Sequence, residues 1–277
     1  MKKILTNIIN GILKRLFLKK QQQSTFELIS WWTEKILKHE DDSVIKQRKF
    51  KSFVINYIRP YELLHTYREI FEKEIYRFNS NKTSPLIIDC GANIGLSVLY
   101  FKNIFPNAKV ICFEPDNNNF RLLEKNIADN NLNDIGIRKE AVWIQNGFIS
   151  FESKGSEASK INESGEDSLS QIPCIDFMEV LKNHAEIDFL KMDIEGAEHS
   201  VIKHCSAHLH KIKNMFIEYH GKVSETNKLI ELLTIFHENH FQVYIKNAAD
   251  NLSMPFIQKE SGHWADVQLN IFCYKND

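Results

Sequence analysis

The residues best arranged to do chemistry in this chain stand at the ends of two apolar runs. The first, Ile187-Asp188-Phe189-Leu190-Lys191-Met192-Asp193-Ile194-Glu195-Gly196-Ala197-Glu198, delivers three acids around a glycine. The second, Met215-Phe216-Ile217-Glu218-Tyr219-His220-Gly221, ends in an acid and a histidine. If both runs are parallel strands, their carboxyl ends share one crevice, so Asp193, Glu195, Glu218 and His220 are predicted to converge. Such a group could take a proton from a weak nucleophile. Asp193 and Glu218 could also hold Mg2+, a cation that prefers hard oxygen ligands. Glu195 and Glu198 equally suit the first turn of a following helix, where negative charge meets the helix dipole, and Glu198 is read as structural on that ground. His220 is as readily a strand-end histidine with its hydrogen bonds satisfied.

A second constellation lies upstream. In Leu86-Ile87-Ile88-Asp89-Cys90-Gly91-Ala92-Asn93-Ile94-Gly95 an apolar strand ends in an acid and a glycine-containing turn, and an apolar helix follows from Leu96 to Phe105. Gly91 and Gly95 remove side chains where a ligand and the next helix approach the backbone, and Asn93 tolerates left-handed angles. The amides opening that helix can receive an anion. Glu114 closes the next strand, where a carboxylate can accept from both ribose hydroxyls of an adenosine-containing cofactor. The third strand, ending in Arg138-Lys139-Glu140-Ala141-Val142, is expected to bring backbone groups and a small residue beside the adenine. A nicotinamide-dependent oxidoreductase uses the same parts but prefers GxGxxG, because its backbone must touch a pyrophosphate. Asn93 in the middle glycine position argues for a cofactor without phosphates.

These motifs need a sheet to position them. Strands are predicted at Leu86–Cys90, Lys109–Glu114, Gly136–Val142, Ile187–Asp193, Asn214–Tyr219, Phe241–Lys246 and Asn270–Tyr274, alternating with helices such as Asn117–Asp129 and Glu225–Asn239, the pattern of a doubly wound α/β fold. The polar stretch Ser153–Gln171 is expected to be an insertion near the site. Residues 1–84 are expected to form a helical N-terminal extension, with Phe26–Phe78 mainly helical and broken near Pro60. Its first 20 residues hold no acid and repeat apolar residues at helical spacing. That basic amphipathic helix suits peripheral contact with an anionic membrane face, or docking on its own domain or a partner.

Composition narrows the classes. With 35 Lys+Arg against 36 Asp+Glu among 277 residues, nothing global advertises a nucleic-acid partner. The five cysteines form no CxxC pair and read as small core residues of a reducing, cytoplasmic setting. No apolar run is long enough to span a bilayer. The pairs His204/His208 and His237/His240 lack the HExxH order and are read as solvated helix faces, and His263-Trp264 as a plain loop or as residues that reach an acceptor pocket.

Taken together, DCGANIG, FEPD, EAV, Cys174-Ile175-Asp176-Phe177, LKMDIEGAE and IEYHG resemble the FkbM-type methyltransferases from Pro85 to Tyr274. The resemblance implies the class I methyltransferase sheet, Rossmann-like, seven-stranded and mostly parallel with one reversed strand, over residues 85–277. It implies S-adenosylmethionine as donor and O-methylation of a carbohydrate or small-molecule hydroxyl. Carried over by motif, the donor site is Asp89, Gly91, Asn93, Gly95, Glu114, Glu140 and Ala141, with Asp89 holding the donor's amino group. Methyl transfer is an in-line displacement that must exclude water, and an alcohol needs somewhere to send its proton. His220 or Asp193 is expected to accept it, with Glu195 and Glu218 orienting the acceptor or the base. A non-catalytic donor-binding or scaffold protein is the reading from another class, and the intact acids weigh against it.

Overall fold

The computed structural model describes residues 26–152, 160–161, 170–261 and 264–275. In chain order the elements are helix α1 (Trp31–Leu37), the hairpin β1 (Lys46–Lys49) and β2 (Val54–Tyr57), and helix α2 (Pro60–Tyr67), which runs on as a π-turn over Arg68–Glu72. Then come β3 (Leu86–Cys90), α3 (Leu96–Ile104), β4 (Lys109–Phe113), α4 (Asn117–Asp129), β5 (Ile135–Arg138), β6 (Ala141–Trp143), β7 (Gly147–Glu152), β8 (Lys160–Ile161) and β9 (Ser170–Asp176). The chain continues through α5 (Phe177–Lys182), β10 (Ile187–Met192), α6 (Glu198–Cys205), β11 (Ile212–Gly221), α7 (Thr226–Glu238), β12 (Gln242–Ala249) and β13 (Val267–Tyr274).

Seven of the described strands form one sheet in the order β12-β13-β11-β10-β3-β4-β5. The five from β11 to β5, leaving β13 aside, pair in parallel, and β13 runs antiparallel to both β11 and β12. This is the doubly wound α/β fold expected from the sequence, including the reversed strand. Successive strand residues point to opposite faces. Ile88, Cys90, Leu190 and Met192 accordingly face a core with α5, α6 and α7, while Ile87, Val110, Phe189 and Phe216 face a core with α3 and the N-terminal region.

Three expectations need correction. The predicted strand Gly136–Val142 is two strands: β5 stays in the main sheet, and the chain breaks at Lys139-Glu140 so that β6 enters a second sheet. That four-stranded sheet, β6-β9-β7-β8, was not foreseen; β9 carries Pro173 and β6 is three residues long, too short for an alternation signal. Most of the Ser153–Gln171 stretch lies outside the described residues, as does the basic amphipathic segment 1–20. The region Phe26–Phe78 is not mainly helical. It holds the β1–β2 hairpin, and Pro60 starts a helix instead of breaking one, as suits a residue with a fixed φ and no N–H to satisfy. Its aromatic residues form the second core: Phe50 stacks on Tyr67 with centroids 4.4 Å apart, Tyr67 on Phe71 at 4.7 Å, and Phe71 meets Phe26 edge-on at 5.1 Å. Among the described residues no helix is long and apolar enough to cross a membrane. All five cysteines are free and buried.

Asn126 ties this region to the sheet. Fully buried on α4, its Oδ1 accepts from Asn56 N at 2.6 Å, and its Nδ2 donates to Asn56 O at 3.0 Å and to Ile94 O at 2.8 Å. One amide thus joins the hairpin, α4 and the turn after β3. Asn126→Ala leaves those backbone groups without partners in the core and is expected to lower stability by about 3 kcal/mol, read from urea unfolding.

Candidate active site

The turn between β3 and α3 is shaped by backbone contacts. Gly91 N and Ala92 N both donate to Phe113 O, at 3.0 and 2.9 Å, and Asp193 N donates to Cys90 O at 3.0 Å. Gly91 has φ +89°, and a Cβ there would lie 1.9 Å from Asp193 O, so only glycine lets β3 and the loop after β10 close on each other. Asn93 also takes a left-handed conformation, φ 50°, and donates its N–H to Glu114 Oε2 at 2.7 Å. The other Glu114 oxygen accepts from Asp116 N at 2.8 Å. Glu114 is buried at the cavity wall, and burial pushes its carboxyl up to about 7 despite those two hydrogen bonds.

Lys191 is the residue that sequence reasoning passed over. Register sets it beside Asp89 on the neighbouring strand, and its Nζ donates to Gly91 O at 2.6 Å while lying 3.4 Å from both Asp89 Oδ1 and Asp193 Oδ2. Burial opposes its charge, but Asp89 and Asp193 outweigh it and hold the ammonium well above the ordinary lysine range. Asp89 itself is fully buried, accepts from Ser97 Oγ and does not line the cavity. Asp89 is thus the counter-ion of Lys191 in the floor of the turn, behind the cavity wall.

The acids predicted to converge do so. His220 Nε2 lies 3.7 Å from Glu195 Oε2 and 3.7 Å from Glu218 Oε1, and its Nδ1 is 3.3 Å from Glu198 Oε1. Burial alone would depress the imidazolium, but the Glu198 hydrogen bond and charge, with Glu195 and Asp193, push it up. Burial and the neighbouring Asp193 raise the carboxyls of Glu195 and Glu218. Glu195 adopts φ +56°, and the loop is held in that shape by Glu198, whose Oε1 accepts from Ile194 N at 3.1 Å and Gly196 N at 3.0 Å. Glu198 is fully buried, so its structural reading is correct and extends to orienting His220.

A cavity of about 820 Å3 joins the two constellations. Of the predicted donor-site residues, Gly91, Asn93, Glu114, Glu140 and Ala141 line it, together with Asp193, Glu195, Glu218 and His220. Gly95 does not; a Cβ on it would come 2.7 Å from Leu123 Cδ1, so its role is to let α3 and α4 approach. Trp264 lies in a loop and lines the cavity, covering His220 with ring centroids 4.8 Å apart. His204, read as solvated, bonds Asp176 at 2.8 Å. Neither contact carries a local signal, because each partner is distant in the chain.

This geometry fits an adenosyl sulfonium donor. The Gly91–Asn93 turn lines the cavity, Glu114 offers remaining lone pairs at a strand end, and the surrounding acids suit a cationic molecule. A family model described as the methyltransferase FkbM domain matches residues 89–243, more than half the chain. Methyltransferase sdnD of Sordaria araneosa is 42% identical over 64 residues, 23% of this chain and 25% of that protein. The 2-O-methyltransferase NoeI of Sinorhizobium fredii (strain NBRC 101917 / NGR234) is 24% identical over 193 residues, 62% of this chain and 76% of its own. A crystal structure of methyltransferase FkbM from Methylobacillus flagellatus KT superposes with a TM-score of 0.48 at 18% identity, covering 74% of this chain and 46% of that one. The chain thus spans a quarter of sdnD and under half of the solved structure.

Glu114 gives the site a pH signature. Its folded-state pKa of about 7 lies above the ordinary 4.5, so its contribution to stability is full below about 4.5 and lost as pH rises through about 7. Glu114→Gln removes that dependence. The stability of the variant relative to wild type is expected to rise by up to about 3 kcal/mol between these limits, on top of a constant offset from the altered hydrogen bonds. Thermal unfolding across that range, without ligand, measures it.

Proposed function

The chain belongs to the FkbM methyltransferase family, and from that premise we propose that it methylates a hydroxyl oxygen of a carbohydrate or small hydroxylated acceptor. The observation that carries the reading is the shared cavity, in which the Gly91 and Glu114 wall adjoins Asp193, Glu195, Glu218 and His220. S-adenosylmethionine, the donor the family implies, supplies when bound an electrophilic methyl group on a sulfonium. Glu114, the backbone of Gly91–Ile94 and the pair Glu140 and Ala141 are the residues suited to hold it.

The rest of the work falls to the chain's own side chains. An alcohol attacks well only as its proton departs, and the carboxylates of Asp193 and Glu218 face the cavity where they can take it, with His220, held charged by Glu198, orienting them. Gln268 Nε2 donates to Glu218 Oε1 at 2.6 Å and fixes that carboxylate. Trp264 covers His220 and limits water at this end. The further wall carries Arg59, Glu62, Lys73, Lys246 and Asn247, hydrogen-bonding groups of the kind a polyhydroxylated acceptor requires. That NoeI is a 2-O-methyltransferase supports oxygen as the atom methylated.

Two outcomes check this reading. Glu218→Gln and His220→Asn are each expected to lower kcat about 10²–10⁴-fold while leaving donor affinity within a few-fold. Against a panel of hydroxylated acceptors, mass spectrometry and NMR of the product should show an O-methyl group. Turnover undiminished in both variants, or a methyl group found on nitrogen or carbon, contradicts it.

A further inference from the structure

The acids around His220 outnumber the cations beside them. Among the described residues, Asp193, Glu195, Glu198 and Glu218 gather at His220, Lys191 reaches Asp193 but is shared with Asp89, and Glu198 and His220 are buried. Uncompensated negative charge of this size in a poorly solvated place attracts either protons or a cation. The arrangement of His220 favours a cation. Its side chain is 3% exposed, its Nδ1 is engaged by the buried carboxylate of Glu198, and that contact turns Nε2 toward Glu195 and Glu218, at distances too long for hydrogen bonds. A carboxylate on the far nitrogen is how a metal-binding imidazole is fixed in tautomer and direction. One ligand atom each from Asp193, Glu195 and His220 already lies within 4.8 Å of the others. Bonds of about 2.0–2.2 Å to a common ion require only small rotations of these side chains.

We propose that Asp193, Glu195 and His220 bind one divalent first-row transition ion, Mn2+ being the type case, with Glu198 as the positioning residue behind His220. The ligand set differs from the Asp193 and Glu218 pair expected for Mg2+, because an imidazole among carboxylates suits a softer ion than Mg2+. The left-handed backbone at Glu195 then has a reason: it swings that carboxylate back toward Asp193. The proposal rests on the methyl-transfer reading only for its purpose, since an ion here sits at the acid end of the cavity where the acceptor hydroxyl would lose its proton.

The test uses the full chain freed of metal with EDTA, titrated with Mn2+ and followed by electron paramagnetic resonance and calorimetry, and with S-adenosylmethionine in EDTA as a separate arm. Mn2+ should bind at one site per chain, raise the Tm, and outcompete equimolar Mg2+. Affinity should fall at least about tenfold in Asp193→Asn and His220→Asn, and about 10–100-fold in Glu198→Gln. Should a variant fail to fold, the wild-type titration still decides. No Mn2+ binding by wild type at millimolar concentration, or binding unchanged in well-folded Asp193→Asn and His220→Asn, overturns the site. Mn2+ binding at this site without S-adenosylmethionine binding supports the ion and overturns the donor reading.

Discussion

A lysine ammonium enclosed between two strand-end carboxylates governs the geometry of this protein's cleft. Lys191 is almost wholly removed from water, and a buried charge without partners costs several kcal/mol. Its solution is threefold: Asp89 across the strand pair, Asp193 two residues on, and the carbonyl of Gly91. Those partners come from both sides of the β3–β10 seam, so satisfying the ammonium fixes the register of the two strands and the position of the glycine turn together. Glu198 does the equivalent task one strand over, holding the loop of Ile194 and Gly196 and the imidazole of His220. The cavity-lining Glu195, Glu218 and His220 are therefore presented by a scaffold in which Lys191, Asp89 and Glu198 partner one another or the surrounding loops.

Much of this was legible in the residues. The apolar runs at Leu86–Cys90 and Ile187–Met192 are covered on both faces, and the acids that end them fall where a parallel sheet puts its ligands. Helix Asn117–Asp129 appears with the predicted limits because Asp116 caps it through Asn118 N and Asn119 N. What escaped depended on partners far away in the chain. Lys191 inside an apolar run looks like a snorkelling surface lysine until strand pairing sets Asp89 beside it. The burial of Asp89 escaped for the same reason, since it follows from Lys191 and Ser97. The β1–β2 hairpin gave no alternation because Lys46–Lys49 is a polar strand paired only to β2.

The N-terminal region earns its place in the same account. Its aromatic residues cover one face of the sheet, and Asn126 connects its hairpin to the carbonyl of Ile94, immediately beside Asn93. From there Arg59, Glu62 and Lys73 form part of the cavity wall. The segment outside the family match thus supplies both core and part of the cavity wall.

The claim on which everything turns is that the Gly91 turn, Glu114 and the neighbouring acids enclose an adenosyl sulfonium. Calorimetric titration of wild type and Gly91→Val with S-adenosylmethionine, S-adenosylhomocysteine and NADH tests it most directly. The account predicts saturable one-to-one binding of the first two by wild type, little affinity for NADH, and loss of binding in a variant whose new Cβ meets the Asp193 carbonyl. Preference for NADH, or S-adenosylmethionine binding unaffected by a side chain at Gly91, would contradict it.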